Sequence, residues 1–327
     1  MDNLAHTLAG AVLGEAGLKE KTGLGMTTLM IAANLPDVDV IALAFGENLA
    51  FRRGITHGPL GLILLPIVLA ALMWAFDRWQ GRRGKRPEKR VPVNFKRLLI
   101  LSYIGAISHP MLDWLNVYGV RCLAPFSDRW FYGDTLFIID VWLWTVLALG
   151  VWLSRRRRKH GKGAPRVPAL VSICALVLYI AAMGAGSAVA EARAADAIIA
   201  AGYGTPDLVI ASPPPIDPFR RDIIYRVGDR MSGDIGGGVA RLLPTPELTL
   251  GAPPFANEMD DAVVAEAAAR SKPLADFLFW SRIPYAKIDR TTSSTRVVVT
   301  DARYDDAPTS GGFTVDVVVP AAADPAR

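Results

Sequence analysis

Residues 108 to 119 read SHPMLDWLNVYG and follow directly on the apolar run LLILSYIGAI of residues 98 to 107. An aspartate inside a bilayer costs on the order of 2.5 to 3.5 kcal/mol on insertion scales, so ionisable groups there tend to line interior sites. His109 and Asp113 are four residues apart, which puts both on one helix face and lets them grip one ion. Upstream, NLPDVDV (34 to 40) offers Asp37 and Asp39. Pro36 disfavours regular helix around it, and a locally extended chain would point both carboxylates to the same side. His6 and His57 complete three of the four histidines in the chain. Imidazole and carboxylate together suit zinc, and also manganese or iron, as one or two divalent ions. Asp37, Asp39 and Asp113 buried as bare anions would be strongly disfavoured, and a divalent cation would neutralise them.

Such a cation with an open position lowers the pKa of bound water to near 7 and makes hydroxide available as a nucleophile. Asp39 or Asp134 is then the candidate proton acceptor. Arg52 and Arg53, just before His57, could hold a phosphate or another anion by bidentate contacts, with interfacial anchoring as the competing reading. No HExxH or GxSxG occurs, and GDIGGG (233 to 238) lacks the lysine of a phosphate-binding loop and reads as a flexible turn.

The elements that must bring these residues together are apolar. The chain has 327 residues, 51% of them hydrophobic, and a mean hydropathy of +0.28. The apolar residues crowd into the first 190 positions, giving two expected domains: 1–190, embedded in the membrane, and 191–327, outside it. Clear candidate spans of about 20 residues are 57–76, 98–118, 134–153 and 167–190. Two weaker ones are 3–18, which is short, and 24–46, which Pro36, Asp37 and Asp39 interrupt.

Of the 36 Lys and Arg, nine lie in 77–97 and seven in 154–166, both between apolar runs. The positive-inside rule makes these stretches cytoplasmic loops rather than a nucleic-acid surface. His160, in the second, is then a solvated loop residue. Fixing both loops in the cytoplasm sets the direction of all six segments. His6, Asp37, Asp39, His57, His109, Asp113, Asp134 and Asp140 then fall near one level, towards the outer face, although Lys and Arg alone set the threading. The N-terminus has no basic region of the kind that starts a cleaved signal peptide. Two cysteines, Cys122 and Cys174, exclude a disulfide framework.

In the tail, 191–202 extends the last span as helix and SPPP (212 to 215) breaks the chain. Residues 223–228, 295–304 and 312–319 have strand composition, the last two joined by the turn-rich APTSGG, and 257–280 reads as helix. The fold class is therefore an α-helical membrane protein of about six segments with a C-terminal extracytoplasmic α+β domain built on a small antiparallel sheet. Trp280 and Phe279 read as core. The tail shows no ligand cluster, and either covers the site or is a folded appendage.

The series HTLAG (6 to 10), NLPDVD (34 to 39), RRGITHGPLG (52 to 61) and SHPMLDWLNVYG resembles the YdjM-like family of membrane-bound, metal-dependent hydrolases, and more distantly the His and Asp arrangement of zinc-dependent phospholipase C enzymes. SPPPIDPFRRDIIY in the tail resembles a segment of that family as well. The resemblance implies that His6, Asp37, His57, His109 and Asp113 are metal ligands, with Asp39 a weaker match. The position of the cluster towards the outer face favours an amphiphilic substrate, a membrane lipid or lipid-linked ester or phosphoester, in a bacterial inner membrane, and the placement of the basic loops argues against a nucleic-acid partner. Gly58 departs from the pattern, which has Ser after the histidine in many relatives. Two other functions use the same residues. A cation pathway would spread ionisable groups through the membrane depth and show internal repeats, and a metal-stabilised scaffold would saturate the ion with protein ligands.

Overall fold

The computed structural model describes residues 1–45, 51–305 and 313–320. The chain folds as two compact units, Met1–Ala185 with Pro215–Pro218, and Gly186–Pro214 with Phe219–Arg327.

The first unit is helical. α1 (Asn3–Glu15) starts where the Asp2 carboxylate accepts from the backbone N–H groups of Leu4 and Ala5, satisfying donors that the first helical turn leaves open. α2 (Gly25–Ala32) is followed by a 3-10 segment, Leu35–Phe45. Pro36 has no N–H and disfavours α geometry in the residue before it, so α2 gives way there to the tighter turn. This corrects the extended conformation expected for NLPDVDV. α3 (Pro59–Arg82) begins with Pro59, whose missing N–H costs nothing at a helix start. α4 (Phe95–Trp114) is capped by Asn94. α5 (Val141–Lys159) is capped by Asp140, which also accepts from the Tyr179 hydroxyl at 3.0 Å. α6 runs from Val167 to Ala200.

Among the described residues, two helices are long and apolar enough to cross a membrane, α3 and α6, not six. The expected six segments fail on length and polarity. At 1.5 Å per residue the 13 residues of α1 cover about 20 Å and the eight of α2 about 12 Å, short of the ~30 Å hydrocarbon core. α4 carries Lys96, Arg97, His109 and Asp113, and the last turn of α5 is the basic run Arg156–Lys159.

α2 packs against α1 and α4, α3 against α4, and α1 against α5. The crossings are close because glycine sits at them. A Cβ on Gly10 would lie 2.7 Å from the Leu29 carbonyl oxygen, and one on Gly105 would lie 2.6 Å from the Ala32 Cβ. The basic residues gather at the other ends of these helices. Glu15, fully buried, takes Lys19 at 2.6 Å, Arg158 at 2.7 Å and Arg155 at 3.1 Å, and Glu20 pairs with Arg158 and Arg166.

The second unit contains two antiparallel meanders, not one sheet. The first orders β1 (Pro206–Ser212), β2 (Arg220–Val227), β3 (Asp234–Arg241) and β4 (Glu247–Leu250), and the second β5 (Pro284–Arg290), β6 (Ser294–Asp301) and β7 (Thr314–Pro320). Strands β2, β6 and β7 fall on the three expected strand stretches; the APTSGG turn lies outside the described residues. GDIGGG, expected as a flexible turn, forms much of β3. Tyr225 pairs with Gly236, and a Cβ there would strike the Tyr225 ring. A Cβ on Gly238 would meet the Thr249 carbonyl oxygen at 2.6 Å. The helix expected over 257–280 is two, α7 (Ala262–Arg270) and α8 (Lys272–Trp280). Pro273 cannot donate to an incoming helix, so the chain breaks at Ser271, whose hydroxyl caps α8. Trp280 is fully buried, as expected, whereas Phe279, expected in the core, is exposed.

Candidate metal centre

Asp37 from the 3-10 segment, His57 from the turn before α3, and His109 and Asp113 from α4 each offer one ligand atom, and these atoms all lie within 4.8 Å of one another. The His57 and His109 Nε2 atoms are 3.1 Å apart. Asp113 Oδ2 stands 3.3 Å from the first and 3.4 Å from the second. Asp37 Oδ1 stands 3.8 and 3.6 Å from them. His57, His109 and Asp113 are sealed from solvent, and Asp37 keeps 11% of its side-chain exposure.

The outward nitrogens of both rings have partners of their own. His109 Nδ1 lies 2.7 Å from the Ala33 carbonyl oxygen, which requires a proton on Nδ1. His57 Nδ1 lies 3.1 Å from Thr56 Oγ1 and 3.5 Å from Asp39 Oδ2. With the protons held there, both Nε2 atoms turn bare lone pairs toward each other and toward two carboxylates. Asp113 Oδ2 accepts no hydrogen bond among the described residues. The Arg53 guanidinium, 3.1 Å from Asp113 Oδ2, and the Met1 ammonium on Asp113 Oδ1 offset part of that negative charge, while the two Nε2 lone pairs and the Asp37 carboxylate still converge on space closed to water, an arrangement a cation would favour. The donor set therefore fits a divalent metal, and the ring contacts to Ala33 and Asp39 are those that orient metal-bound histidines.

His6 stands beside these four. Its ring stacks on His109 with centroids 3.7 Å apart, and its Nε2 is 3.4 Å from Asp113 Oδ1. Neither ring nitrogen has a hydrogen-bond partner among the described residues. Asp39 lies behind His57, not in the group of four. Its Oδ2 accepts from the Arg53 backbone N–H at 2.7 Å and from the Thr56 hydroxyl at 3.2 Å, while Oδ1 accepts no hydrogen bond among the described residues. In a 3-10 turn, positions two apart project to different sides, which separates Asp37 from Asp39.

The two arginines part company. Arg53 is buried, with a left-handed φ of 52°. Its Nε is 3.1 Å from Asp113 Oδ2, its Nη1 donates to Asn116 Oδ1 and to the Gly119 carbonyl, both at 3.1 Å, and its guanidinium lies over the Tyr118 ring. That network builds the floor of the site. Arg52 keeps 24% of its side-chain exposure and faces Asp37 at 3.7 Å and Asp39 at 3.5 Å. Asp134 is buried, with φ 45°, and is not one of the four. Asp140 serves as the α5 cap.

Gly58 is explained by its neighbour: a Cβ there would run into the Ala124 carbonyl oxygen, so a serine could not fit without a backbone shift. Thr56, Asn116 and the Ala33 carbonyl are functional groups absent from the expected set. Thr56 and Asn116 sit inside the quoted motifs, beside His57 and three residues after Asp113. Nothing in the sequence marks the backbone oxygen of Ala33.

A buried His and Asp cluster, held by α4, the 3-10 segment and the turn before α3 in a chain with two helices able to cross a bilayer, defines a membrane protein with a candidate metal centre. Residues 1–188 match the family model of the YdjM inner membrane protein, and the chain belongs to that family. Comparison with curated proteins and with solved structures finds no match.

Proposed function

We propose that the protein is a metal-dependent hydrolase of a membrane-associated ester or phosphoester, acting at the outer leaflet, with zinc as the cation. The observation that carries this reading is the pair of Nε2 lone pairs 3.1 Å apart, facing the Asp37 and Asp113 carboxylates. A divalent ion held by Asp37, His57, His109 and Asp113 would supply, when bound, a Lewis acid that makes water nucleophilic near neutral pH. Two imidazoles and two carboxylates are donors of the kind zinc takes.

The chain's own groups supply the remaining roles. Asp39 uses Oδ2 to hold Thr56 and the loop at Arg53, and its place against His57, with Oδ1 3.5 Å from Arg52 Nε, favours it over Asp134 as the base. Arg52 brings a partly exposed guanidinium to the same edge, where it can pair with an anionic head group. Arg53 is committed to Asp113 and Asn116 and positions the site instead of meeting substrate.

Metal content of the purified protein, followed by hydrolysis assays on phospholipids and on a soluble phosphodiester, tests the reading. Wild type should carry metal and turn over, and His109→Ala and Asp113→Ala should lose both. Bound metal with no turnover on any substrate would replace the enzyme by a scaffold, and cation flux in liposomes would replace it by a pathway.

A further inference from the structure

Only Asp37, of the four clustered residues, keeps measurable contact with the outside, and what it meets is a groove of about 480 Å³ between α1, α2 and the 3-10 segment. The size lies within the range of small-molecule sites. Met30, Ile31, Leu35 and Val38 form an apolar wall. Ile31 and Val38 are 41% and 38% exposed. The other lining groups are polar. Asn34 donates from Nδ2 to Thr7 Oγ1 and to the Met30 carbonyl, both at 2.9 Å, while its Oδ1 accepts nothing among the described residues.

We propose that this groove holds one hydrocarbon chain of the substrate, whose polar head group then meets Asp37 and the cluster. The inference rests on the hydrolase reading for what happens at the head group, and on the groove alone for where the chain lies. An apolar wall leading to carboxylates suits a molecule that is aliphatic at one end and polar at the other, the chain lying along Met30, Ile31, Leu35 and Val38 and the head group reaching Asp37. The shared chemistry is an aliphatic chain joined to a polar ester, from a diacyl glycerophospholipid or from a polyisoprenyl phosphate.

Two measurements on the full-length protein decide it. In the first, a lipid with a photoactivatable diazirine in its tail is irradiated with the protein in nanodiscs, and the labelled peptides are mapped. Label on 30–38 that excess unlabelled lipid suppresses, while label on the outward side of α3 near Leu64 persists, supports the groove. Competition by glycerophospholipid or by polyisoprenyl phosphate, run side by side, identifies the source. Suppression by neither, or equal persistence at both places, overturns the proposal. In the second, KM is measured over soluble homologues of increasing chain length. Each methylene taken from water into the groove should lower KM about fourfold. Ile31→Trp should flatten that slope, whereas Leu64→Trp, also at an exposed apolar position, should not, with metal content showing both variants folded. An unchanged slope in Ile31→Trp overturns the proposal. Saturable labelling without hydrolysis of any homologue would keep the groove and remove the hydrolase reading.

Discussion

Asp39 acts through its two oxygens in different ways: one fixes the loop that carries His57, and the other faces the Arg52 guanidinium at 3.5 Å. Replacing it with asparagine should weaken metal binding by about 10- to 100-fold, the usual cost of losing a group that orients a ligand, and chelator competition would measure it. Retention of wild-type affinity in Asp39→Asn would show that His57 needs no help from it. Most of the centre is legible in residue types. His6, Asp37, His57, His109 and Asp113 stand out as ionisable groups in apolar surroundings, and the structure gathers all five side chains at one place, four of them as a compact group. The division of labour between Arg52 and Arg53 is not legible, because it depends on the left-handed backbone at Arg53 that turns its side chain inward. Nor is the offset of Asp39, which follows from a 3-10 turn where an extended chain was the simpler expectation.

At the scale of elements, composition locates strands better than it excludes them. β2, β6 and β7 carry runs of Ile, Val and Tyr, and such residues favour pleated surfaces. β3 carries three glycines in a row, and its strand character comes from Tyr225 and from the close approach of β4. Gly238→Ala should force β4 to shift and destabilise the second unit by about 1 to 3 kcal/mol, read by denaturant titration. A second prediction concerns the end of β6. Asp301 is fully buried. Burial pushes its carboxyl up, but the Arg303 guanidinium at 2.8 Å and the Ser281 hydroxyl outweigh that and hold it below the ordinary carboxylate range. A group depressed in the folded state contributes stability at pH values above its unfolded pKa and loses it as pH falls through the folded one. The second unit should therefore be acid-sensitive below about pH 4. Asp301→Asn should lessen that sensitivity and destabilise the unit near neutrality by about 3 to 5 kcal/mol, since it leaves Arg303 buried without its anionic partner.

For the molecule as a whole, the sequence conveys an apolar N-terminal half and a mixed C-terminal half. Six spans do not follow, because hydropathy averages over residues and not over continuous helix: the stretch from 24 to 46 is apolar enough to attract attention, yet folds as two short pieces. Cys174 tests the bilayer reading. It is exposed on the protein surface within α6, one of the two helices able to cross. In membranes it should react with a lipid-soluble maleimide and resist a charged one, and detergent should remove the difference. Equal labelling by both reagents in intact membranes would place that stretch of α6 in water.

Gly105 sits one turn before His109, with Ala32 and the Leu29 carbonyl pressed against the place a side chain would fill. A single methyl group there would act as a shim between α2 and α4, tilting the imidazole away from its companions while leaving each of them chemically intact. An alanine scan scored by lost cation would therefore return Gly105 among its hits, at a position that has no side chain to offer an ion.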